Sequence, residues 1–196
     1  MESKSILRPE TKLMLQDALD VMLSDLVLPQ NEHHLEGTTD RVIKAWEELF
    51  SGIHTDAKSV LNTAFEENHY DQMICVADID FVSICAHHLL PFFGKVHFGY
   101  LPNKKVVGLS KIPRLVEVLS HRPQIQEQLT QQIANIFQEA MQPLGCGVMI
   151  EAAHTCVSIR GARKAGSKMI TTALTGLFLD KPAVKEEFLL TLKGIR

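Results

Sequence analysis

Apolar residues in the first third of the chain recur every three to four positions, which is the period of an amphipathic helix. One such stripe spans residues 10–28. A second predicted helix follows the capping residues Thr38–Asp40 and ends before Gly52, and a third, shorter helix is predicted for residues 56–67. We therefore expect residues 1–69 to form a helical region that precedes the main domain.

From about residue 70 the pattern changes to runs rich in β-branched and aromatic residues, which favour strands. Strands are predicted over residues 72–84, 93–101, 146–154 and 169–178, and residues 157–161 are expected to continue the third strand or to pair with it. Helices are predicted over residues 111–119, with Ser110 as N-cap, over 125–140, and over 182–192 at the end of the chain. The resulting order, strand, strand, helix, helix, strand, strand, predicts an α+β domain over residues 70–196, an antiparallel sheet with its helices on one face.

The composition is that of an ordinary globular protein. The 196 residues are 45% hydrophobic and carry 23 acidic against 20 basic side chains, a net charge of −3. This balance gives no bulk basicity for nucleic acid or for an anionic membrane surface, and no apolar run reaches the ~18 residues of a membrane span. The start of the chain lacks the apolar core of a signal peptide, so we expect a cytoplasmic protein whose four cysteines are reduced thiols or ligands.

The candidate chemistry lies in two separate segments of the chain. Cys85 and His88 stand as C-x2-H, and Cys156 supplies a third soft ligand, a set that suits zinc and leaves one coordination position for water. His87 and His154, which this set does not use, would flank the metal as proton carriers. Ordinary burial of the cysteine and histidines, or a Cys85–Cys156 disulfide, is the alternative at this point.

Several motifs resemble the GTP cyclohydrolase I family, and the likeness extends over about residues 37–190. The matching segments are Cys85–Lys95, Gly108–Ile112, Arg122–Thr130, Glu151–Cys156 and Arg160–Arg163. The resemblance implies a tunnelling fold (ββααββ) preceded by helices, assembled as pentamers that pair into decamers with active sites between subunits. It also implies zinc-dependent hydrolysis of GTP to formate and 7,8-dihydroneopterin triphosphate.

The resemblance implies a role for each site residue as well. His154 would be the acid at guanine nitrogen 7, with His87 as a further proton carrier. Glu127 would accept hydrogen bonds from the guanine N1–H and amino group, assisted by Gln126 and the backbone around Leu109. The expected triphosphate contacts are Ser110, Lys111, Arg114 and Arg160, together with Arg41.

Two positions depart from the family pattern. Ala86 replaces the usual glutamate beside His87, and Thr39–Asp40 stands where a Thr-Pro pair is common. Neither change touches a predicted zinc ligand. They keep open a paralogue with reduced activity or with a different use of the product, such as 7-deazaguanine synthesis. Two other readings also stay open: a zinc enzyme of the same fold acting on another purine or pterin, and a non-catalytic, zinc-stabilised binding protein.

Overall fold

The computed structural model describes residues 5–27, 32–66 and 70–194. Its helices are α1 (Pro9–Leu26), α2 (Glu32–Leu35), α3 (Thr38–Leu49), α4 (Lys111–Ser120), α5 (Gln126–Met141), α6 (Thr155–Ser158), α7 (Leu177–Asp180) and α8 (Pro182–Lys193), and a 3₁₀ helix spans Ala57–Leu61. Its strands are β1 (Ala64–Glu66), β2 (Ile74–Cys85), β3 (Pro91–Leu101), β4 (Lys105–Val107), β5 (Pro123–Gln124), β6 (Gly145–His154) and β7 (Met169–Leu174).

The main sheet has the order β5-β2-β3-β6-β7. β2 with β3, β3 with β6 and β6 with β7 pair in antiparallel fashion, and the two-residue strand β5 pairs in parallel with β2. The helices α4 and α5 lie between β3 and β6 in the sequence. The predicted ββααββ order is therefore confirmed.

The core lies between the sheet and the helices α4 and α5. Phe137 on α5 packs edge-on against Phe98 and Tyr100 of β3, at ring-centroid distances of 4.6 and 5.0 Å. All three rings are buried, as are Leu115 and Leu129 on the two helices. Because successive strand residues point to opposite faces, the even-numbered residues in this part of β3 are the ones whose side chains face this core.

The opposite face of the sheet carries α8, which corrects the expectation of helices on one face only. Phe188 of α8 lies over Gly99 of β3 and Gly147 of β6, and a Cβ atom at either glycine would approach the ring within 2.8–3.0 Å. Phe178 and Phe188 are fully buried there, edge-on to each other. The two glycines therefore make the room into which α8 packs.

Two predicted elements differ from those observed. Residues 56–67 were expected to form a helix, but the 3₁₀ helix ends at Leu61 and β1 follows, antiparallel to β4. The predicted boundary between residues 69 and 70 adjoins residues 67–69, which lie outside the described part. The strand expected over residues 157–161 is wrong, because the chain after His154 turns immediately into α6.

Smaller corrections concern element ends. Ser110 stands at the predicted N-cap position of α4, but it takes helical backbone angles and its side chain makes no capping hydrogen bond. The last strand ends at Leu174, four residues before the predicted end at Phe178, and Gly176 with a φ of 49° starts the turn into α7. The shape of this turn requires glycine, since other residues rarely adopt a positive φ.

The N-terminal helices α1 and α3 pack on each other. An ion pair between Lys12 Nζ and Glu47 Oε1, 2.8 Å apart, joins the two helices, and α1 has no buried residue. After α3, Gly52 contacts the end of α4 through a hydrogen bond from its N–H to the His121 carbonyl. A Cβ on Gly52 would lie 2.0 Å from the Val118 carbonyl oxygen, so this contact requires a glycine.

Candidate metal centre and proton-transfer site

The first part of the site is the tight loop that joins β2 to β3. The Cys85 N–H donates to the Leu90 carbonyl at 2.9 Å, and the Cys85 carbonyl accepts from the N–H groups of His88 and Leu89. Leu89 has a φ of 52°, a left-handed conformation that is uncommon for leucine. This turn brings the side chains of Cys85 and His88 to the same side of the loop.

The second part of the site arrives at the end of β6. His154 is the last residue of β6 and pairs in register with Phe92, directly after the loop on β3. The Thr155 hydroxyl then donates to the Pro91 carbonyl at 2.6 Å, which anchors the start of α6 to the same loop. Pairing of β3 with β6 therefore brings two segments that are far apart in sequence into contact.

Cys85, His88 and Cys156 meet at this junction. Their ligand atoms all lie within 4.8 Å of one another, and Cys85 Sγ is 3.8 Å from His88 Nδ1. Cys85 is buried, Cys156 is half-buried and His88 is exposed, so the group opens to solvent on one side. This group of two thiols and one imidazole could hold a metal ion.

The electrostatics of the group fit a cation. Burial raises the pKa of the Cys156 thiol, and the neighbouring Cys85 raises it further, while Arg160 acts in the opposite direction. Two thiolates held this close repel each other, and a divalent ion relieves that repulsion by binding both. Both thiols are free in the structure, so Cys85 and Cys156 do not form the disulfide considered as an alternative.

The other two cysteines lie apart from this group. Burial raises the pKa of Cys75 and of Cys146 to about 11, and the Cys146 thiol sits within 3.2 Å of the Thr175 hydroxyl in the core. Buried thiols of this kind are poorly reactive. Their positions leave Cys85 and Cys156 as the sulfur ligands.

His154 is held firmly beside the metal-ligand group. Its Nε2 lies 2.8 Å from Gln126 Oε1, and its ring stacks on Phe92 with centroids 4.6 Å apart and planes 4° from parallel. Burial lowers the pKa of His154, and the charge of Glu127 works against that shift. His87 differs: it is exposed on the loop, edge-on to His88 at 6.2 Å.

Glu127 and Gln126 lie at the first turn of α5 but differ in exposure. Glu127 is exposed and close enough to His154 to affect its titration. Gln126 is only 1% exposed, and its side chain is occupied by hydrogen bonds inside the protein. Arg160, also exposed, lies near Cys156, on whose titration its charge acts.

The other predicted substrate contacts lie elsewhere in the same chain. Leu109, Ser110 and Lys111 follow β4, where the Val107 N–H donates to the Tyr100 hydroxyl at the far end of β3. β3 spans roughly 30 Å at about 3.3 Å per residue, and Pro91 at its other end adjoins the metal-ligand group. These residues therefore follow the end of β3 that is opposite the metal-ligand group.

Two exposed arginines complete the set. Arg114 lies one turn into α4, on the side of the helix exposed to solvent. Arg41 lies near the start of α3 and donates to the Thr38 hydroxyl at 2.7 Å. Sequence reasoning did not assign a role at the site to Phe92 or Thr171. Apart from its place in the matching segment Cys85–Lys95, Phe92 stood out only as part of an apolar run, which is equally typical of a core residue.

These features define an α+β protein with a Cys2His metal-ligand group where two antiparallel strands meet, beside a histidine and a glutamate. The family model for GTP cyclohydrolase I matches residues 15–193. The chain therefore belongs to the GTP cyclohydrolase I family.

Curated relatives align with this chain along most of their length. A protein named GTP cyclohydrolase 1 from Campylobacter jejuni subsp. doylei is 51% identical over 173 residues, covering 88% of this chain and 91% of the relative. Proteins of the same name from Wolinella succinogenes and Caldanaerobacter subterraneus subsp. tengcongensis are 43% and 44% identical. The first of these alignments covers 96% of this chain and 97% of the relative, and the second 96% and 98%.

Among solved structures, the chain is similar to an archaeosine synthase, QueF-Like, in its apo form. The TM-score is 0.44 at 14% identity, and the alignment covers 56% of this chain and 97% of that one. Separately, none of the helices within the described ranges combines the length and apolar character needed to cross a membrane.

Proposed function

We propose that this protein hydrolyses GTP to formate and 7,8-dihydroneopterin triphosphate, the first step of tetrahydrofolate and pterin biosynthesis. The observation that carries the proposal is the meeting of Cys85, His88 and Cys156 within 4.8 Å beside His154. Relatives named GTP cyclohydrolase 1 match nearly the whole chain, which supports the same reaction.

Zinc is the metal that we propose for the Cys2His group. Thiolate and imidazole are its preferred ligands, and three protein ligands leave a position for water, as catalytic zinc sites do. When bound, zinc would supply an activated water at neutral pH. The residues that would hold it are Cys85, His88 and Cys156; both thiols are free, and all three side chains are within reach of one ion.

The chain's own residues would recognise guanine and move protons. Glu127 offers an exposed carboxylate to the N1–H and amino group of guanine, which adenine cannot match because it lacks that donor pair. His154 would give a proton to nitrogen 7, and His87 would carry protons in the later ring-opening steps. Glu127 lies close enough to His154 for its charge to act on that histidine. The group that would recognise guanine therefore adjoins the group that would donate the proton.

The triphosphate would be bound by Ser110, Lys111 and Arg114 from a neighbouring subunit, together with Arg160. Within one chain Ser110 and Lys111 follow β4, whose Val107 N–H bonds to Tyr100 at the end of β3 away from the metal-ligand group. Residues at opposite ends of this strand, which is roughly 30 Å long, would reach one GTP molecule through a second copy of the chain. The backbone of Leu109 would come from the neighbour too, and Arg41 remains a proposed phosphate contact.

A homo-oligomer built through the sheet edges would supply that copy. β7 forms one edge of the sheet, and the first part of β2 forms the other edge. Unpaired edges invite strand pairing with another molecule. Head-to-tail pairing of these two different edges closes into a ring, in keeping with the expected pentamers and decamer of this family. We place this assembly in the cytoplasm, where the four free cysteines would stay reduced.

The test is GTP turnover by the zinc-loaded protein, followed by formate release and by the absorbance of dihydroneopterin. Cys156→Ala should abolish turnover and bound zinc, whereas Cys146→Ala, a buried thiol outside the group, should keep both. Absence of GTP turnover by wild-type protein that holds one zinc per chain would overturn the proposal. The same preparation would then be screened against other purine nucleotides and pterins.

A further inference from the structure

We propose that Gln126 is a positioning residue that determines which ring nitrogen of His154 exchanges the proton. This inference rests on the proposed function, since it concerns the histidine that would act on guanine nitrogen 7. It assigns Gln126 a role through His154 in place of the expected direct contact with GTP. The side chain is 1% exposed, which leaves it almost no surface to offer a substrate.

The hydrogen bonds around Gln126 establish how its amide is oriented. Gln126 Nε2 lies 3.2 Å from the Ile150 carbonyl oxygen and 3.1 Å from the Met169 carbonyl oxygen. Both partners are acceptors only, so the amide NH₂ group must face them. The Thr171 hydroxyl lies 3.1 Å from the same nitrogen. A flipped amide would place its oxygen against two carbonyl oxygens inside the protein, at a high cost.

The amide oxygen therefore faces His154. Oε1 accepts only, and it lies 2.8 Å from His154 Nε2, so that nitrogen must carry a hydrogen. His154 Nδ1 has no hydrogen-bond partner among the described residues. The stacked Phe92 ring keeps the imidazole in the plane that this hydrogen bond requires. Neutral His154 is thus the Nε2–H tautomer, and its free nitrogen is Nδ1.

Proton transfer then follows a single route. In the imidazolium form both nitrogens carry hydrogen, and Nε2–H stays bonded to Gln126. The Nδ1–H bond breaks as a bond forms between that proton and guanine nitrogen 7. The positive charge passes from the imidazole to the purine, whose carbon 8 becomes more electrophilic. The histidine left behind is already the tautomer that Gln126 stabilises, so no rearrangement follows the transfer.

The test compares Gln126→Met with a matched control on the same helix, Gln138→Met. Gln138 also holds α5 against the end of β7, accepting from the Thr175 hydroxyl at 2.7 Å, but it lies about three turns along α5 from Gln126. We expect Gln126→Met to lower kcat about 10- to 100-fold, with KM for GTP within about twofold of wild type and zinc content retained. Gln138→Met should keep kcat within about twofold.

A raised KM with unchanged kcat in Gln126→Met would instead mean direct substrate contact and would overturn the proposal. The proposal would also be overturned if Gln126→Met lost kcat only in proportion to a loss of zinc or a lower Tm, and if Gln138→Met showed the same losses. Gln126 would then be a structural residue.

A spectroscopic measurement separates this inference from the proposed function. Magic-angle-spinning NMR of protein with ¹⁵N-labelled histidine rings, with His154 assigned by its loss in His154→Asn, reads the tautomer without any turnover. We expect Nε2–H in wild type and a mixture of tautomers in Gln126→Met. An Nδ1–H tautomer in wild type would overturn the inference even if GTP is hydrolysed. Failure of GTP hydrolysis alongside an Nε2–H tautomer would overturn only the proposed function.

Discussion

The His154 imidazole lies flat on the Phe92 ring, with the two centroids 4.6 Å apart and the two planes within 4° of parallel. The two residues are paired in register across β3 and β6, and Phe92 is fully buried. The hydrophobic core of the sheet thus extends directly beneath the candidate proton donor. A change in that core should therefore reach the chemistry at His154.

Phe92→Leu tests this connection. The smaller side chain leaves space beneath the imidazole, and we expect the free energy of unfolding to fall by about 1–2 kcal/mol. GTP turnover should fall as well, because the His154 ring loses its stacking surface. Denaturant unfolding and steady-state kinetics measure the two effects.

Phe81→Leu is the matched control for Phe92→Leu. Phe81 is buried and packs edge-on against Phe92, with the two ring centroids 5.8 Å apart. It should lose similar stability and keep its turnover. Equal losses of kcat in the two variants would contradict a specific role for the stacked ring.

The close approach of β3 and β6 depends on Gly94. A Cβ at this position would lie 2.0 Å from the Glu151 carbonyl oxygen, which belongs to the backbone and cannot move aside without disturbing the strand pairing. We expect Gly94→Ala to lower the free energy of unfolding by about 2–3 kcal/mol. Gly166→Ala, where nothing lies within 4 Å of the added atom, should change it by less than about 0.5 kcal/mol. An unchanged Tm for Gly94→Ala would contradict the observed packing.

Separation of the metal-ligand group from Lys111 predicts complementation between inactive subunits. Cys156→Ala and Lys111→Ala should each abolish or strongly reduce GTP turnover alone. If the two variants are unfolded and reassembled together in equal amounts, about a quarter of the shared sites should combine two intact halves. Turnover near that fraction of wild type is expected. No recovery, despite mixed oligomers detected by native mass spectrometry, would contradict a site shared between subunits.

The contact between α1 and α3 predicts a pH dependence of stability. Hydrogen bonds from Lys12 and Ser5 lower the pKa of Glu47 in the folded protein. A carboxyl group with a lowered folded pKa adds stability at pH values above its unfolded pKa, and this is lost as the pH falls through the folded pKa. Glu47→Gln should therefore cost up to about 1 kcal/mol at neutral pH. The cost should shrink toward zero below about pH 4.

Glu48→Gln is the control for the Glu47 prediction. Glu48 is the exposed neighbour of Glu47 and forms no ion pair with any other described residue. Its substitution should change stability little at either pH. Urea unfolding at a fixed protein concentration measures both variants. A cost for Glu47→Gln that does not depend on pH would contradict the role of the ionised carboxylate.

The sequence predicted the strand and helix order well because the periods of apolar residues in β2, β3, α4 and α5 are long and regular. It failed after His154, where Val157 and Ile159 favour a strand by residue type. There the Thr155 hydroxyl bonds to the Pro91 carbonyl and the chain turns into α6, so a tertiary contact prevails over local preference.

One aspect of the fold and one of the site could not be predicted from residue patterns. A helical period does not say which face of a sheet a helix will cover, and for α8 the signal lay in the glycines beneath Phe188. Similarly, a glutamine next to a glutamate at the start of a helix looks equally suited to a substrate. Only the three-dimensional positions of Ile150, Met169 and His154 show that Gln126 faces inward.

The metal-ligand group joins two parts of the chain, since Cys85 and His88 precede β3 whereas Cys156 follows β6. An ion held by all three would act as a cross-link that closes a loop of roughly seventy residues. The unfolded chain cannot hold the three ligands together, so the free energy of ion binding would add to the free energy of unfolding. The ion content of a preparation would then determine its melting temperature, and chelation would make heat inactivation begin earlier.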